Sequence, residues 1–418
     1  MMKLIISVFK KAACVFLTIF IFVFSVFPSA SASFRSGTNY PYVFVAGYAG
    51  WGQYDQFNHT VQYWGMLQGD LIKYLNSKGI ESYASSVDPV GSAWDRACEL
   101  YAQMTGTAVD YGAVHSAVYK HARFGTDYSK KPLLKGWGSA DKNGQKKKVN
   151  FICHSFGGAT ARLLTQLLAN GDKDEAAGTP PGRISGLFTG GKGDWVHSIT
   201  TLAAPHNGTT LTFIAGPVYK PISAVKTFIA DTGIKIPFPA NSTYTDKFGI
   251  AAYIKNMSKL FADGIGKDTG IYDLSVDGAA ALNKKITIRK DIYYFSIPTD
   301  ATLPFLQTSA RVPDIKYASP IFWPTMLYIG SKTGKTEQGI AIDKNWLKND
   351  GIVNTVSSAA PKNEPQKSFD KKNVTSGTWN IMSTFRGDHG SVVGSAAHGT
   401  DIFAYYLAQA ELINSLNK

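Results

Sequence analysis

The sequence predicts an α/β fold in which a mostly parallel central sheet carries helices on both faces. Short runs of β-branched and aromatic residues alternate with longer segments of helical periodicity, the pattern of successive strand–helix units. The predicted strands are apolar, as expected for strands that helices cover on both sides. With 418 residues, of which 44% are hydrophobic and 13% aromatic, the chain can bury a full core and is too apolar for intrinsic disorder.

Composition and glycine stop signals place the individual elements. The sequence predicts strands at 40–45, 149–153, 198–202 and 292–297 and helices at 67–75 and 159–168. Gly79 and Gly171 follow the two helices and end them. Two regions fit the alternation poorly. Residues 92–138 are rich in Tyr, Gly and His and predict an insertion over a sheet edge, and residues 209–267 are apolar segments broken by prolines that predict a helical cap.

The first 32 residues have the pattern of a secretory signal peptide. Lysines at 3, 10 and 11 precede an apolar run at 12–27, and Ala30-Ser31-Ala32 supplies the small residues that a signal peptidase requires. The run is shorter than the roughly 20 residues that span a bilayer, which favours cleavage after Ala32 over a retained anchor. The sequence therefore predicts secretion, with residues 33–418 as the mature domain.

The chain is basic, with a formal net charge of +13 at pH 7. Nucleic-acid binding would require this charge to be clustered with stacking aromatic residues. The only dense basic run is KNGQKKK at 142–148, which is typical of an exposed loop before a strand. We therefore expect the charge to favour adsorption to anionic surfaces and expect no nucleic-acid partner.

One serine stands where a predicted strand passes directly into a predicted helix. The pentapeptide there is Cys153-His154-Ser155-Phe156-Gly157. A serine on such a tight turn has an accessible hydroxyl, and the amides beside it can face a developing oxyanion. Small residues flank such turns because the turn packs against its neighbours, and Cys153 departs from the glycine usual at its position. The context predicts Ser155 as a nucleophile.

A serine nucleophile needs a base that removes its proton and an acid that orients the base. In α/β hydrolases the acid and then the base follow the serine along the chain. Asp350, in the turn KNDGIV, is the predicted acid, and His389, in the turn RGDHGS, is the predicted base. His197, His206 and His398 are competing bases, and His389 is preferred for its loop context and its place in the chain.

A series of blocks along the chain carries a family resemblance. These are GYAGWG at 47–52, WDRACE at 94–99, VDYGA at 109–113, HARFG at 121–125, HSFGG at 154–158, APHNGTT at 204–210, YDLSV at 272–276 and NDGIVNT at 349–355. Through them the chain, from 42 to 412, resembles the secreted thermostable bacillary lipases and their clostridial relatives, which are α/β-hydrolases. The resemblance implies Ser155, Asp350 and His389 as catalytic residues. It also implies that the backbone amides of Tyr48 and Phe156 form the oxyanion hole.

The resemblance further implies one structural zinc ion, bound by Asp95, His115, His121 and Asp268. Nitrogen and carboxylate ligands suit zinc, and four protein ligands close a tetrahedral shell, the arrangement of a structural rather than a catalytic site. The spacing alone does not predict a site, because two histidines six residues apart do not share a helix face. Asp273 is the rival of Asp268 as the fourth ligand.

This sequence also departs from the resemblance. Bacillary members bind calcium through acidic side chains shortly after the catalytic histidine, and the corresponding residues here are Ser391 and Ala396. We therefore expect no calcium site. Phe156 stands where relatives usually have Gln, which leaves the backbone amide in place and makes the floor of the site more apolar. The cap at 209–267 is shorter than in the bacillary lipases, which implies a more open site.

Together these observations predict a secreted serine carboxylester hydrolase of the triacylglycerol lipase type that acts through an acyl-enzyme. Expected substrates are hydrophobic esters at lipid interfaces, with polyesters as an extension; no protein partner and no stable membrane insertion are expected. Two alternatives stay open. One is a zinc hydrolase in which Asp95, His115 and His121 bind a catalytic metal. The other is a non-catalytic, basic cell-surface binding protein.

Overall fold

The structure, a computed structural model, describes residues 40–214, 266–395 and 399–416. The predicted signal peptide, most of the predicted cap, Ala396 and His398 lie outside these residues. The described strands are β1 (Tyr42–Val45), β2 (Ser82–Ser85), β3 (Ala108–Asp110), β4 (Phe124–Asp127), β5 (Val149–His154), β6 (Val196–Leu202), β7 (Tyr293–Ile297), β8 (Thr299–Asp300), β9 (Thr302–Pro304), β10 (Arg311–Pro313), β11 (Gly334–Lys335), β12 (Ala341–Ile342), β13 (Gln366–Ser368), β14 (Trp379–Ile381) and β15 (Phe385–Arg386).

Helices connect and cover these strands. They are α1 (Leu71–Ser77), α2 (Ala93–Thr105), α3 (Ala113–Tyr119), α4 (Gly157–Asn170), α5 (Lys173–Gly178), α6 (Gly270–Leu274), α7 (Val276–Asn283), α8 (Trp323–Ile329), α9 (Thr355–Ala359) and α10 (Ile402–Asn414). Short 3₁₀ turns lie at Gln56–His59, Met66–Gln68, Gly193–Trp195, Thr210–Ile214, Pro320–Phe322, Lys344–Trp346 and Ser391–Val393. None of the described helices is long and apolar enough to cross a membrane.

A seven-stranded sheet forms the centre of the described residues, in the order β13-β14-β7-β6-β5-β1-β2. Each neighbouring pair of strands in it is parallel. Parallel neighbours need a crossover connection, and here helices lie in every described connection of the sheet except the β13–β14 loop and cover the faces of the sheet. The predicted α/β fold with a parallel central sheet is confirmed.

Alternate side chains of the central strands fill two separate cores. Phe151 and Cys153 of β5 lie in the core that α2 and α4 cover, whereas Ile152 lies in the core that α1 and α10 cover. Successive side chains of a strand point to opposite faces of the sheet. A strand that supplies both cores is buried at every position, as β5 and β6 are, which explains why most of its residues are apolar or small.

The predicted elements around Ser155 occur with shifted ends. β5 extends to His154 and α4 begins at Gly157, so the connection is shorter than the sequence suggested. The helix predicted at 67–75 begins instead at Leu71, because Gly69 adopts a φ of 114° that favours glycine and breaks the helical path. The side chain of Asp70 then accepts a hydrogen bond from the backbone N–H of Lys73 and caps α1.

The region predicted as an insertion, 92–138, contains α2, β3, α3 and β4. β3 and β4 form an antiparallel pair outside the central sheet. α2, however, packs against α4 and contributes Ala97, Leu100 and Met104 to the main core. Residues after α2, among them Val109 and Leu134, also contribute to this core, and the predicted bounds of the insertion stay a prediction.

We expect Gly157→Ala to destabilise the fold. A Cβ atom at Gly157 would lie 2.2 Å from the carbonyl oxygen of Val45, so β1 or α4 would have to shift. Overpacking of this kind lowers the free energy of unfolding by about 1–3 kcal/mol, which urea denaturation measures. Gly266→Ala is the matched control, because a Cβ atom there meets nothing within 4 Å. An equal decrease in the free energy of unfolding in both variants would contradict the close packing of α4 on β1.

Candidate active site and metal centre

Ser155 occupies a strained turn between β5 and α4. Its φ of 54° lies in the left-handed region, which residues with a side chain rarely adopt. Two backbone hydrogen bonds hold the turn: Ser155 N–H donates to the Leu202 carbonyl at 2.9 Å, and Gly158 N–H donates to the Ser155 carbonyl at 3.0 Å. A strained backbone of this kind at the carboxyl end of a central strand is the geometry of a nucleophile elbow.

The loop that follows β1 passes directly against Ser155. A Cβ atom at Gly47 would lie 2.7 Å from Cβ and 3.2 Å from Oγ of Ser155, so a glycine is needed for this approach. Tyr48 follows in this loop, and Phe156 is the N-cap residue of α4, at the end where N–H groups lack partners within the helix. The rings of Tyr48 and Phe156 are in contact, with centroids 6.4 Å apart. Both predicted oxyanion donors thus belong to segments that contact Ser155 or adjoin it.

Arg96 is fully buried and fixes the position of this loop. Its guanidinium donates hydrogen bonds to the carbonyls of Ala46 at 2.6 Å and Asp88 at 2.7 Å, and to Thr160 Oγ1 at 2.9 Å. It also lies 5.1 Å from the centroid of the Phe156 ring. Burial lowers the pKa of Arg96 to about 10, so the side chain remains charged at neutral pH. Sequence analysis missed this role, although Arg96 lies in the WDRACE block.

Asp350 and His389 form a buried hydrogen-bonded pair. His389 Nδ1 lies 2.9 Å from Asp350 Oδ2, and His389 N–H donates to the Asp350 carbonyl at 2.9 Å. The carboxylate also accepts from the hydroxyl of Thr299 and, at 2.8 Å, from the N–H of Val353. A carboxylate that accepts from Nδ1–H leaves the lone pair on Nε2. Within the described residues no hydrogen bond joins Nε2 to Ser155 Oγ, and such bonds are often long before substrate binds.

A chain of hydrogen bonds places His389 next to the nucleophile strand. The rings of His154 and His389 have centroids 4.6 Å apart, and His154 Nε2 donates to the His389 carbonyl at 2.9 Å. His154 Nδ1 then accepts from Tyr63 Oη at 2.6 Å, and Tyr63 Oη accepts from Gly47 N–H at 3.1 Å. Burial holds the pKa of His154 well below its usual value, so the ring stays neutral. These hydrogen bonds link the Gly47 loop, the residue before Ser155 and the His389 loop.

The competing histidines have different surroundings. His206 is buried against Trp379, with ring centroids 4.5 Å apart, and burial holds its pKa well below the usual value. His197 lies near the amino-terminal end of β6, whereas Ser155 follows the carboxyl end of the adjacent β5. His398 lies outside the described residues. Of the histidines that the structure describes, His389 is the one that combines a carboxylate partner with proximity to the nucleophile strand.

The structure brings Asp95, His115, His121 and Asp268 together. One ligand atom from each lies within 4.8 Å of all the others. His115 Nε2 is 3.3 Å from Asp95 Oδ1 and 3.3 Å from Asp268 Oδ1, and His121 Nε2 is 3.4 Å from Asp268 Oδ2. Zinc bonds of about 2.0–2.1 Å in a tetrahedron give ligand separations of about 3.3–3.4 Å. These three separations are compatible with a tetrahedral zinc shell.

The polar atoms at the centre of this cluster lack ordinary partners. Asp95 Oδ1, His115 Nε2 and His121 Nε2 are buried and make no hydrogen bond, which is rare for buried polar atoms. His121 Nδ1 lies 2.9 Å from the carbonyl of Ala122, and since a carbonyl only accepts, Nδ1 carries the proton and Nε2 presents its lone pair to the cluster. Burial lowers the pKa of His115, but Asp268 and Asp95 raise it to about 9 overall. The cluster thus attracts a cation, and its residues fit zinc.

Asp273, the rival ligand, has another role. Its Oδ2 accepts a hydrogen bond from the N–H of Ala93 at 2.7 Å, at the first turn of α2. At the position expected to lack calcium, Ser391 Oγ donates to Asp388 Oδ1 at 2.7 Å. Ala396, the other such position, lies outside the described residues, so the absence of calcium stays a prediction.

Known proteins resemble this chain over most of its length. The family described as "Lipase-like, C-terminal domain" matches residues 38–414. Lipase 1 of Staphylococcus aureus (strain NCTC 8325 / PS 47) is 33% identical over 378 residues, which is 86% of this chain and 51% of that protein. The chain thus spans about half the length of the curated relatives it matches.

Solved structures of bacterial proteins also resemble this chain over most of its length. Lipase 1 from Pelosinus fermentans is 34% identical, with a TM-score of 0.74 over 92% of this chain and 100% of that chain. EstA from Clostridium botulinum is 33% identical, with a TM-score of 0.78 over 94% of this chain and 92% of that chain. Since the family match covers nearly the whole chain and these relatives are covered almost completely, the chain belongs to the bacterial lipase family.

Proposed function

We propose that this protein is a serine carboxylester hydrolase of the lipase type that acts on hydrophobic esters. The observation that carries the proposal is the buried Asp350–His389 pair next to the strained turn of Ser155. A serine on such a turn, with a base oriented by an acid, is the arrangement for acyl transfer. Relatives named lipase and esterase that share the fold support the same activity.

The proposed mechanism passes through an acyl-enzyme. Ser155 Oγ attacks the ester carbonyl while His389 Nε2 takes its proton, and Asp350 holds the imidazole in the required orientation. The amides of Tyr48 and Phe156 stabilise the oxyanion of the tetrahedral intermediate. His389 returns the proton to the departing alcohol, which leaves an ester on Ser155. The same base then activates water, which releases the carboxylic acid and restores the serine.

We assign zinc a structural role. Asp95, His115, His121 and Asp268 would hold the ion, and four protein ligands leave no open position for water or substrate. Bound zinc would neutralise the paired carboxylates and join α2 and the region after it to the segment that precedes α6. The closed ligand set disfavours the alternative of a catalytic metal, which needs an exchangeable position.

The proposal extends to location and substrate. The pattern of residues 1–32 supports secretion, with cleavage after Ala32. Residues 209–267, most of which lie outside the described residues, are proposed as a cap. A short cap would admit bulky substrates, including water-insoluble polyesters. Hydrolysis measured from short esters through triglyceride to solid polyester tests this range.

We expect Ser155→Ala and His389→Ala each to lower kcat on a soluble short ester by about 10³-fold or more, because the triad acts as a unit. Asp350→Asn should also lower kcat severely, because it favours the wrong imidazole tautomer of His389. A serine-reactive phosphonate should label the wild type and not Ser155→Ala. Asp343→Asn, on an exposed 3₁₀ turn, is the control. Ester turnover retained in Ser155→Ala would refute the proposed function.

We expect Tyr63→Phe to lower kcat about tenfold while KM changes little. The substitution removes the hydroxyl that joins Gly47 N–H to His154 Nδ1, and small displacements of catalytic groups are costly. Tyr83→Phe is the matched control, because that hydroxyl donates only to exposed Glu81. A normal kcat in Tyr63→Phe would show that the chain of hydrogen bonds does not position the site.

We expect about one zinc per chain by elemental analysis and little zinc in Asp268→Asn. Since an ion that binds only the folded state stabilises it, metal removal should lower the Tm substantially, with loss of activity following the loss of fold. Asp127→Asn, an exposed residue outside the cluster, should keep both zinc and Tm. A metal-free protein whose Tm does not respond to zinc would exclude the site.

A further inference from the structure

A cavity of about 580 Å³ lies beside the loop that carries Asp350. No residue of the proposed catalytic site or of the metal cluster lines it. Its walls come from the β9–β10 hairpin, from residues 344–359 and from the carboxyl ends of β7 and β14. A cavity of this size lies within the range of sites that bind organic ligands.

Three cations face this cavity without an acidic partner. Arg311, Lys344 and Lys348 line it, and no acidic residue does. Across residues 40–214, 266–395 and 399–416, none of the three forms an ion pair, whereas nearby Arg386 pairs with two aspartates. The adjacent Asp343 caps the 3₁₀ turn at Lys344 through the N–H of Asn345. Uncompensated cations in a concave surface attract anions.

Part of the cavity lining, here called the floor, is apolar. Pro298, Ala359 and Ile381, at the ends of the sheet and of α9, are buried or half-buried side chains that line it. A small hydrophilic anion would contact the cations but make no contact with these apolar residues. An anion that carries an apolar chain would satisfy both parts of the lining, because the chain loses contact with water there.

The hairpin that supplies Arg311 exposes apolar side chains at its tip. Phe305 is 46% exposed and Leu306 is 80% exposed. Exposed aromatic and aliphatic side chains next to cations are typical of surfaces that lie at an amphiphile–water boundary. Phe305 and Leu306 do not line the cavity, but they add exposed apolar surface to the hairpin that forms one of its walls.

We propose that this cavity binds an anionic amphiphile, with its carboxylate or phosphate headgroup at Arg311, Lys344 and Lys348 and its apolar chain along the floor. A long-chain carboxylate is the leading ligand, an assignment that rests on the proposed function because ester hydrolysis releases carboxylates. The binding itself does not depend on Ser155 chemistry, so the two proposals can fail separately.

The test is calorimetric binding of decanoate, below the concentration at which it forms micelles, to the zinc-loaded mature protein, residues 33–418. Its acyl site is first blocked with an alkyl phosphonate. We expect decanoate to bind far more tightly than acetate or inorganic phosphate, because each fully buried methylene raises affinity up to about fourfold. Lys344→Gln/Lys348→Gln should weaken decanoate binding about tenfold, as expected for two exposed charge pairs. The matched control is Lys335→Gln/Lys371→Gln, which removes two exposed lysines outside the cavity.

The outcomes separate the explanations. Equal decanoate binding in the two double variants, with equal Tm, would overturn the site. Decanol binding as tightly as decanoate would overturn the role of the cations, and acetate binding as tightly would overturn the amphiphile. Vesicles that contain anionic phosphatidylglycerol identify the source of the ligand. If the wild type binds them and Lys344→Gln/Lys348→Gln does not, the ligand is a lipid headgroup. If the wild type binds decanoate but not the vesicles, the ligand is a free carboxylate. Failure of the phosphonate to react would count against the proposed hydrolase and leave the binding comparison intact.

Discussion

The strained turn at Ser155 is the constraint on which the rest of the site depends. A non-glycine residue in the left-handed region costs roughly 1–3 kcal/mol, so the surroundings must hold it there. β5 supplies that support because it lies between β1 and β6 in a sheet with both faces buried. Gly157 and Gly158 then allow α4 to start in contact with β1 and β6. The turn is a consequence of the whole sheet rather than of the pentapeptide alone.

Buried polar side chains transmit this fixed geometry to the neighbouring loops. Arg96 holds the carbonyls around Gly47, while His154 and Tyr63 join the same loop to the backbone of His389. Each of these groups is buried, where a polar atom without a partner is costly, so a single arrangement satisfies them all. The catalytic groups that we propose are therefore positioned by backbone-directed hydrogen bonds from residues that need not touch substrate.

The Asp/His cluster applies a different constraint. Asp95 Oδ1 and Asp268 Oδ1 each lie 3.3 Å from His115 Nε2, and burial raises the pKa of Asp95. Two carboxylates in such a partly buried space require a positive partner, since neither is fully solvated. A cation there would tie α2 and the residues after it to a segment far along the chain. The cluster and the elbow meet at α2, because the helix that carries Asp95 also carries Arg96.

The sequence by itself determined the α/β fold, the central strands and the placement of Ser155 between a strand and a helix. These features depend on residues close together in the sequence: apolar runs, the glycines that end helices, and the turn between a strand and a helix. It could only propose the partners of Ser155, and it missed Tyr63 and Arg96. Those roles arise from contacts between residues distant in the chain, as when Tyr63 meets His154, and they exist only once the order of the strands brings the loops together. The three-residue strands β13 and β14 carry too little pattern to be recognised alone. Hydrogen bonds of β14 to β7, and of β13 to β14, decide that they are strands.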